Sequence, residues 1–316
     1  MIADPMSNPG TRQHRGPLIA LLVTLRPKQW TKNLLLFAGF LFTIDSYRPM
    51  VQFERACLGF VAFCLLSSSV YVINDLCDRE NDQQHPRKRF RPIPSGELST
   101  PLAVGAAIML LSAVAALSLY LNPMFAAVAG LYFIVTLSYT YLFKHVVILD
   151  VLVLALGFVL RAIAGAVVIP VSISAWLILC TLMLALFLGL SKRRAELLTI
   201  QQSGTLTTRK ILDEYTAELL DQMIVIVTSA CVMSYSLYTL QSTTGTRHHD
   251  LMITIPFVIY GIFRYLYLMH RRCLGESPDS VIIEDRPTLI NIALWALTTA
   301  LIVSHTLEHY LPKFIQ

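Results

Sequence analysis

The chemistry-bearing residues of this chain crowd into one stretch, "NDLCDRENDQQHPRKRFRP" (residues 74–92), where three aspartates follow an asparagine and give way to basic residues. If a helix carries the stretch, Asp75, Asp78 and Asp82 stand at i, i+3 and i+7, within about 60° of one another at 100° per residue. Carboxylates on one face repel unless a cation bridges them. Hard oxygen donors, Asn74 included, suit Mg²⁺, which ordinarily arrives with phosphates. His85, Arg87, Lys88, Arg89 and Arg91 supply donors and positive charge for such phosphates, and Pro86, Pro92 and Pro94 stiffen the loop. The expected chemistry is a metal-phosphate site with Asn74, Asp75, Asp78 and Asp82 as metal ligands and the three aspartates as its catalytic groups. Taken alone, the basic residues also read as anchors at a membrane surface.

The elements that must position these groups lie in a bilayer. Residues of the AVILMFWYC set fill 55% of the 316 positions and DEKR only 14%, against about a quarter charged in soluble domains. Apolar runs at residues 34–44, 56–72, 102–121, 124–142, 146–168, 175–190, 223–240, 251–269 and 289–303 predict nine membrane-crossing helices. Most approach the about 20 residues a hydrocarbon core requires; the first must borrow flanking residues or tilt. Cytoplasmic loops are enriched in Lys and Arg. With the N-terminus inside, 20 of the 25 fall on one side and four on the other, with Arg161 inside a helix. The expected fold is therefore an all-α polytopic bundle, N-terminus in and C-terminus out, with the acidic-basic stretch where the second helix enters the cytoplasm. Residues 1–17 lack the apolar run of a signal peptide and are expected to form a disordered cytoplasmic tail, followed by a single transmembrane domain over residues 18–316. The six cysteines show no C-x-x-C spacing and read as small hydrophobes.

The same predicted face collects further candidates. Arg26, Lys28 and Lys32 lie in "RPKQWTKN", Tyr139 and Lys144 in the next loop, and Lys192, Arg193 and Glu196 in "SKRRAE". "DEYTAELLD" and "EDRP" add acids. Trp30 and Tyr139 read equally as interfacial anchors. His305, Glu308 and His309 lack metalloprotease order and fall on the far side. Arg161, costly if lipid-facing, either pairs with a polar partner or reaches substrate.

On these residues the chain resembles a known family. "NDLCDREND" matches the N-D-x-x-D-x-x-x-D motif of the UbiA superfamily of intramembrane prenyltransferases. "LRPKQWTKN", "NDLCDRENDQQHPRKRFRPIPSG", "YTYLFKH" followed by "LDVLVLALGFVLRAIAGA", "SKRRAEL" and "GESPDSVIIEDRP" resemble its decaprenyl-phosphate phosphoribosyltransferase branch. The resemblance implies an enzyme that transfers 5-phosphoribose from phosphoribosyl pyrophosphate to a polyprenyl phosphate and serves cell-envelope biosynthesis. It implies Mg²⁺ on Asp75, Asp78 and Asp82 holding the pyrophosphate. Phosphate contacts are expected from Arg26, Lys28, Lys32, Asn74, His85, Lys88, Arg89, Arg91, Tyr139, Lys144, Lys192, Arg193 and Glu196. The active site would face the cytoplasm at a bacterial inner membrane, with no nucleic-acid partner. Aromatic prenyltransferases of the superfamily usually carry a second aspartate motif at the end of the sixth helix, where this chain has Lys192, Arg193, Arg194 and Glu196. A basic second half suits substrates with more phosphates, although Asp213, Glu214, Glu218 and Asp221 downstream leave a partial replacement open. The alternatives are an aromatic prenyltransferase of quinone biosynthesis and a polyprenyl-phosphate-sugar flippase; the latter would need charges through both leaflets.

Overall fold

In the computed structural model of the chain, residues 16–42, 49–84, 88–169, 171, 174–203, 210–272 and 284–304 are described. Among them the chain is all-helical, without a strand. Eight helices among the described residues are long and apolar enough to cross a membrane. They are α1 (Pro49–Cys77), α2 (Thr100–Leu121), α3 (Pro123–Tyr141), α4 (Leu149–Val168), α5 (Ala175–Ser203), α6 (Ala217–Gln241), α7 (Ile255–Arg272) and α8 (Arg286–Val303). Hydrocarbon offers the backbone no water, so only internally bonded helices persist through such runs. Asn122, Thr216 and Asp285 start α3, α6 and α8 by accepting from the N–H of Met124, Leu219 and Thr288, donors that a first turn leaves open.

The first predicted span takes a different form. Among the described residues, 34–44 is not one continuous α-helix: a 3₁₀ segment, Pro27–Phe37, leads into the four-residue helix Ala38–Leu41. Its course follows α4 at backbone contact. A Cβ on Gly165 would stand 2.1 Å from the carbonyl oxygen of Leu36, and one on Gly39 would stand 3.3 Å from Ala166 Cα. Buried Asn33 accepts from Arg161 Nε at 2.8 Å. Hydropathy registers length and greasiness but not such an approach.

The chain divides into two compact units, residues 1–30 with 64–114 and residues 31–63 with 115–316. The first packs Ala20 of the helix Pro17–Thr24, Val72 of α1, and Ala103 and Ala107 of α2 with Ile93 and Leu98. The loop that follows the aspartates is thus pinned by a core of its own. In the second unit α3, α4, α5 and α6 pack in chain order, and α7 packs on α6 and α8. One core of it joins Val151 and Ala155 of α4, Phe187 and Leu190 of α5, Leu220 and Ile224 of α6, and Tyr265 and Leu268 of α7.

Candidate active site

In the first unit, α1 ends at Cys77 but its hydrogen bonding continues. Asp78 N–H donates to Asn74 O at 2.9 Å and Asp82 N–H to Asp78 O at 2.8 Å, leading into the short helix Arg79–Gln84. That continuity brings Asp75 and Asp82 to one side, as their spacing predicts. Both are 2% exposed, and Arg91 Nη1 donates to Asp75 Oδ1 at 3.0 Å and to Asp82 Oδ2 at 2.7 Å. Arg26 Nη2 donates to the same Asp75 oxygen at 2.6 Å, and Lys88 Nζ lies 3.6 Å from Asp82 Oδ1. Asp78 is partly buried, Lys28 is exposed, and exposed Arg89 stacks 4.7 Å over the Phe90 ring. His85 and Arg87 lie outside the described residues.

Arg26 reaches Asp75 from a backbone at φ 53°, a left-handed conformation that costs a non-glycine residue roughly 1–3 kcal/mol and persists where its surroundings over-determine it. Here they do. Its guanidinium lies 4.8 Å over the Tyr71 ring, and Ser68 Oγ donates to Leu25 O at 2.9 Å while accepting from Trp30 Nε1 at 3.0 Å. Ser68 and Tyr71 are site residues that sequence reasoning missed. They stand seven and four residues before Asp75, on the aspartates' own helical face, and that spacing was the available signal.

The donor set suits a divalent cation. Asn74 Oδ1 is buried without a hydrogen-bond partner, a condition costing about 1–3 kcal/mol that a bound cation relieves. Asn74, Asp75, Asp78 and Asp82 offer hard oxygens within nine residues, the chemistry Mg²⁺ prefers. Among the described residues no three His, Cys, Asp or Glu side chains close on one metal position. Arg91 stands between Asp75 and Asp82 instead.

The second unit builds a charged cluster from Tyr139 of α3, Asp150 of α4, and Arg193 and Glu196 of α5. Arg193, expected to bind phosphate, is 2% exposed. Its Nε donates to Asp150 Oδ2 at 2.7 Å, Nη1 to Glu196 Oε2 at 2.7 Å and Nη2 to Tyr139 OH at 3.3 Å. Asp150 is fully buried and accepts from Tyr215 OH at 2.9 Å, while that hydroxyl accepts from Ile148 N–H at 2.7 Å. Burial, reinforced by the Asp150 carboxylate, pushes the Tyr215 hydroxyl up to about 12. Lys192 Nζ lies 3.9 Å from Glu196 Oε1. Lys32 is partly buried, as is Lys144 in the turn Phe143–His145.

Other candidates have structural partners. Asp221 accepts from Arg194 Nε at 2.5 Å and Nη2 at 3.1 Å, while Asp213, Glu214 and Glu218 are exposed. Arg161 takes the polar-partner reading: besides Asn33 it donates to Tyr132 OH at 2.6 Å and Gly157 O at 3.1 Å, and lies over the Tyr132 and Phe158 rings. His305, Glu308 and His309 fall outside the described residues. Asp150 and Tyr215 were missed, although a lone acid opening an apolar run is expensive and is itself a signal.

Residues 33–280 match the UbiA prenyltransferase family. Over 308 residues the chain is 34% identical to decaprenyl-phosphate phosphoribosyltransferase of Mycolicibacterium smegmatis, covering 93% of this chain and 94% of that protein. It is 31% identical to the protein of the same name from Mycobacterium tuberculosis, over 95% of this chain and 99% of the relative. Among solved structures, a UbiA homologue from Archaeoglobus fulgidus bound to GPP and Mg²⁺ superposes with a TM-score of 0.68 at 22% identity, over 90% of this chain and 99% of that one.

Proposed function

The chain belongs to the UbiA prenyltransferase family, and on that premise we propose that it transfers 5-phosphoribose from phosphoribosyl pyrophosphate to a polyprenyl phosphate at the cytoplasmic face of a bacterial inner membrane. The observation that carries the reading is the acid pair Asp75 and Asp82 ringed by Arg26, Lys88 and Arg91, a metal-ligand pair with phosphate-binding cations already at hand. The likeness to named phosphoribosyltransferases over nearly the whole chain supports it.

Mg²⁺, as bound in the Archaeoglobus homologue, would be held by Asn74, Asp75, Asp78 and Asp82 and would offset the charge that pyrophosphate gains as it leaves C1 of the ribose. Arg26, Lys88 and Arg91 would donate to the phosphate oxygens, with Lys28, His85 and Arg89 adding positive charge. The attacking lipid phosphate, with a second pKa near 6, is largely ionised at pH 7, so no side chain need act as general base. One bond forms between a lipid phosphate oxygen and C1 while the bond from C1 to pyrophosphate breaks. The isoprenoid tail stays in the bilayer, which a membrane-embedded enzyme need not empty. Counting the first predicted span, residues 34–44, as a ninth crossing agrees with the charge bias, which favours an inside N-terminus.

Membranes supplied with labelled phosphoribosyl pyrophosphate and polyprenyl phosphate are expected to yield labelled lipid. EDTA should abolish the product and added Mg²⁺ restore it. Prenyl transfer from a prenyl diphosphate to 4-hydroxybenzoate, with no phosphoribosyl transfer, would overturn the reading.

A further inference from the structure

We propose that Asp150 is a positioning residue for phosphate binding, acting through Arg193 to set Lys192, Tyr139 and Glu196. The inference rests on the proposed function in one respect: it takes the ligand to be a substrate phosphate.

The cluster is graded from inside to outside. The Asp150 side chain is fully buried and that of Arg193 is 2% exposed, whereas Glu196 is 23% and Lys192 43% exposed. A phosphate cannot reach a guanidinium so enclosed without repacking the core around it. It can reach Lys192, whose ammonium is held near Glu196 on the next turn, and the partly buried Tyr139. Glu196 and Tyr139 are in turn held by the two Nη atoms of Arg193, and Arg193 is oriented by Asp150 through Nε. An accessible rim is therefore aligned by a buried root.

Two further features argue that the root serves geometry. A buried ion pair is a poor source of stability, because desolvation offsets its attraction. The turn beside it is also strained. Ile148, a β-branched residue, sits at φ 69° with its N–H bonded to the same Tyr215 hydroxyl that donates to Asp150. Left-handed backbone is a true outlier for such a residue, and strain of this kind collects where function requires a fixed arrangement.

The test is a double-mutant cycle on the full-length enzyme in detergent. Asp150→Asn and Lys192→Ala should each lower kcat/KM for the same phosphate substrate about ten-fold, chiefly through KM. The double variant should stand about ten- to thirty-fold below wild type and not about a hundred-fold, because once Lys192 is gone only the positioning of Tyr139 is left to lose. Multiplying effects, or wild-type kinetics in either single variant, would overturn the proposal. Should Asp150→Asn fail to elute as a single species, Tyr215→Phe takes its place. That variant removes one hydrogen bond from Asp150, leaves the ion pair, and is expected to show the same non-multiplying pattern at about three-fold. A wild type that consumes a prenyl diphosphate and not phosphoribosyl pyrophosphate would reject the proposed function while leaving the cycle readable with that donor.

Discussion

Asp75 and Asp78 differ in what their removal leaves behind. Asp75 is the shared acceptor of Arg26 and Arg91, so Asp75→Ala should abolish transfer and also lower thermal stability by taking the shared anion from Arg26 and leaving Arg91 with Asp82. Asp78→Ala is the cleaner probe of metal binding. It should abolish transfer with thermal unfolding in detergent close to wild type, and full lipid labelling by both variants would remove the site assignment. Arg26 permits a sharper comparison, because its backbone stands at φ 53°. Glycine adopts that conformation freely and alanine does not, so Arg26→Gly should be more stable than Arg26→Ala by about 1 kcal/mol. Both should bind the donor more weakly, as thermal melts beside donor KM would reveal.

At the scale of elements, α4 is held on one side by a backbone approach that only glycine allows. Gly165→Ala would drive a methyl group into the carbonyl of Leu36 and should cost about 1–3 kcal/mol through the shift it forces. Gly130→Ala in α3 meets nothing within 4 Å and should be harmless; equal melting of the two variants would contradict the packing described. The start of α8 carries a pH dependence. Asp285 caps Thr288 and accepts two hydrogen bonds from Arg264, at 2.8 and 3.1 Å. Those hydrogen bonds from Arg264, aided by Thr288, hold its carboxyl well below the usual carboxylate range. A depressed folded-state value means that the contribution is complete above the unfolded value, about 4, and is lost as pH falls through the folded one. The gap in melting temperature between wild type and Asp285→Asn should therefore be constant between about pH 5 and 8 and narrow below about pH 4. A gap that widened on acidification would reverse the sign.

For the whole molecule the number of crossings fixes the sides on which the two ends lie. Among the described residues eight helices qualify by length and composition, and the first predicted span, residues 34–44, is the proposed ninth. The charge asymmetry, 20 against four, favours an inside N-terminus and, with nine crossings, an outside C-terminus. Alkaline phosphatase fused after residue 316 should be active, and a reporter that works only in the cytoplasm should be silent there. The opposite result would leave eight crossings and return both ends to the same side.

Much of this protein was legible because the bilayer imposes simple rules. A run of apolar residues long enough to cross must be helical, so α1 to α8 could be read from hydropathy. A charged triplet at helical spacing must share a face, so Asp75 and Asp82 could be paired before any coordinates. What tertiary structure alone decided depends on atoms that approach from distant parts of the chain. Arg193 read as a phosphate ligand because it stands in a basic run. It lies buried because Asp150, 43 residues earlier, supplies its counter-charge. The first span read as a short helix that borrows flanking residues or tilts, because hydropathy counts residues, whereas its course is set by Gly165 and Arg161 of α4, more than a hundred residues downstream. Local spacing encodes which groups share a face, and only packing determines which of them meets solvent and which is spent inside.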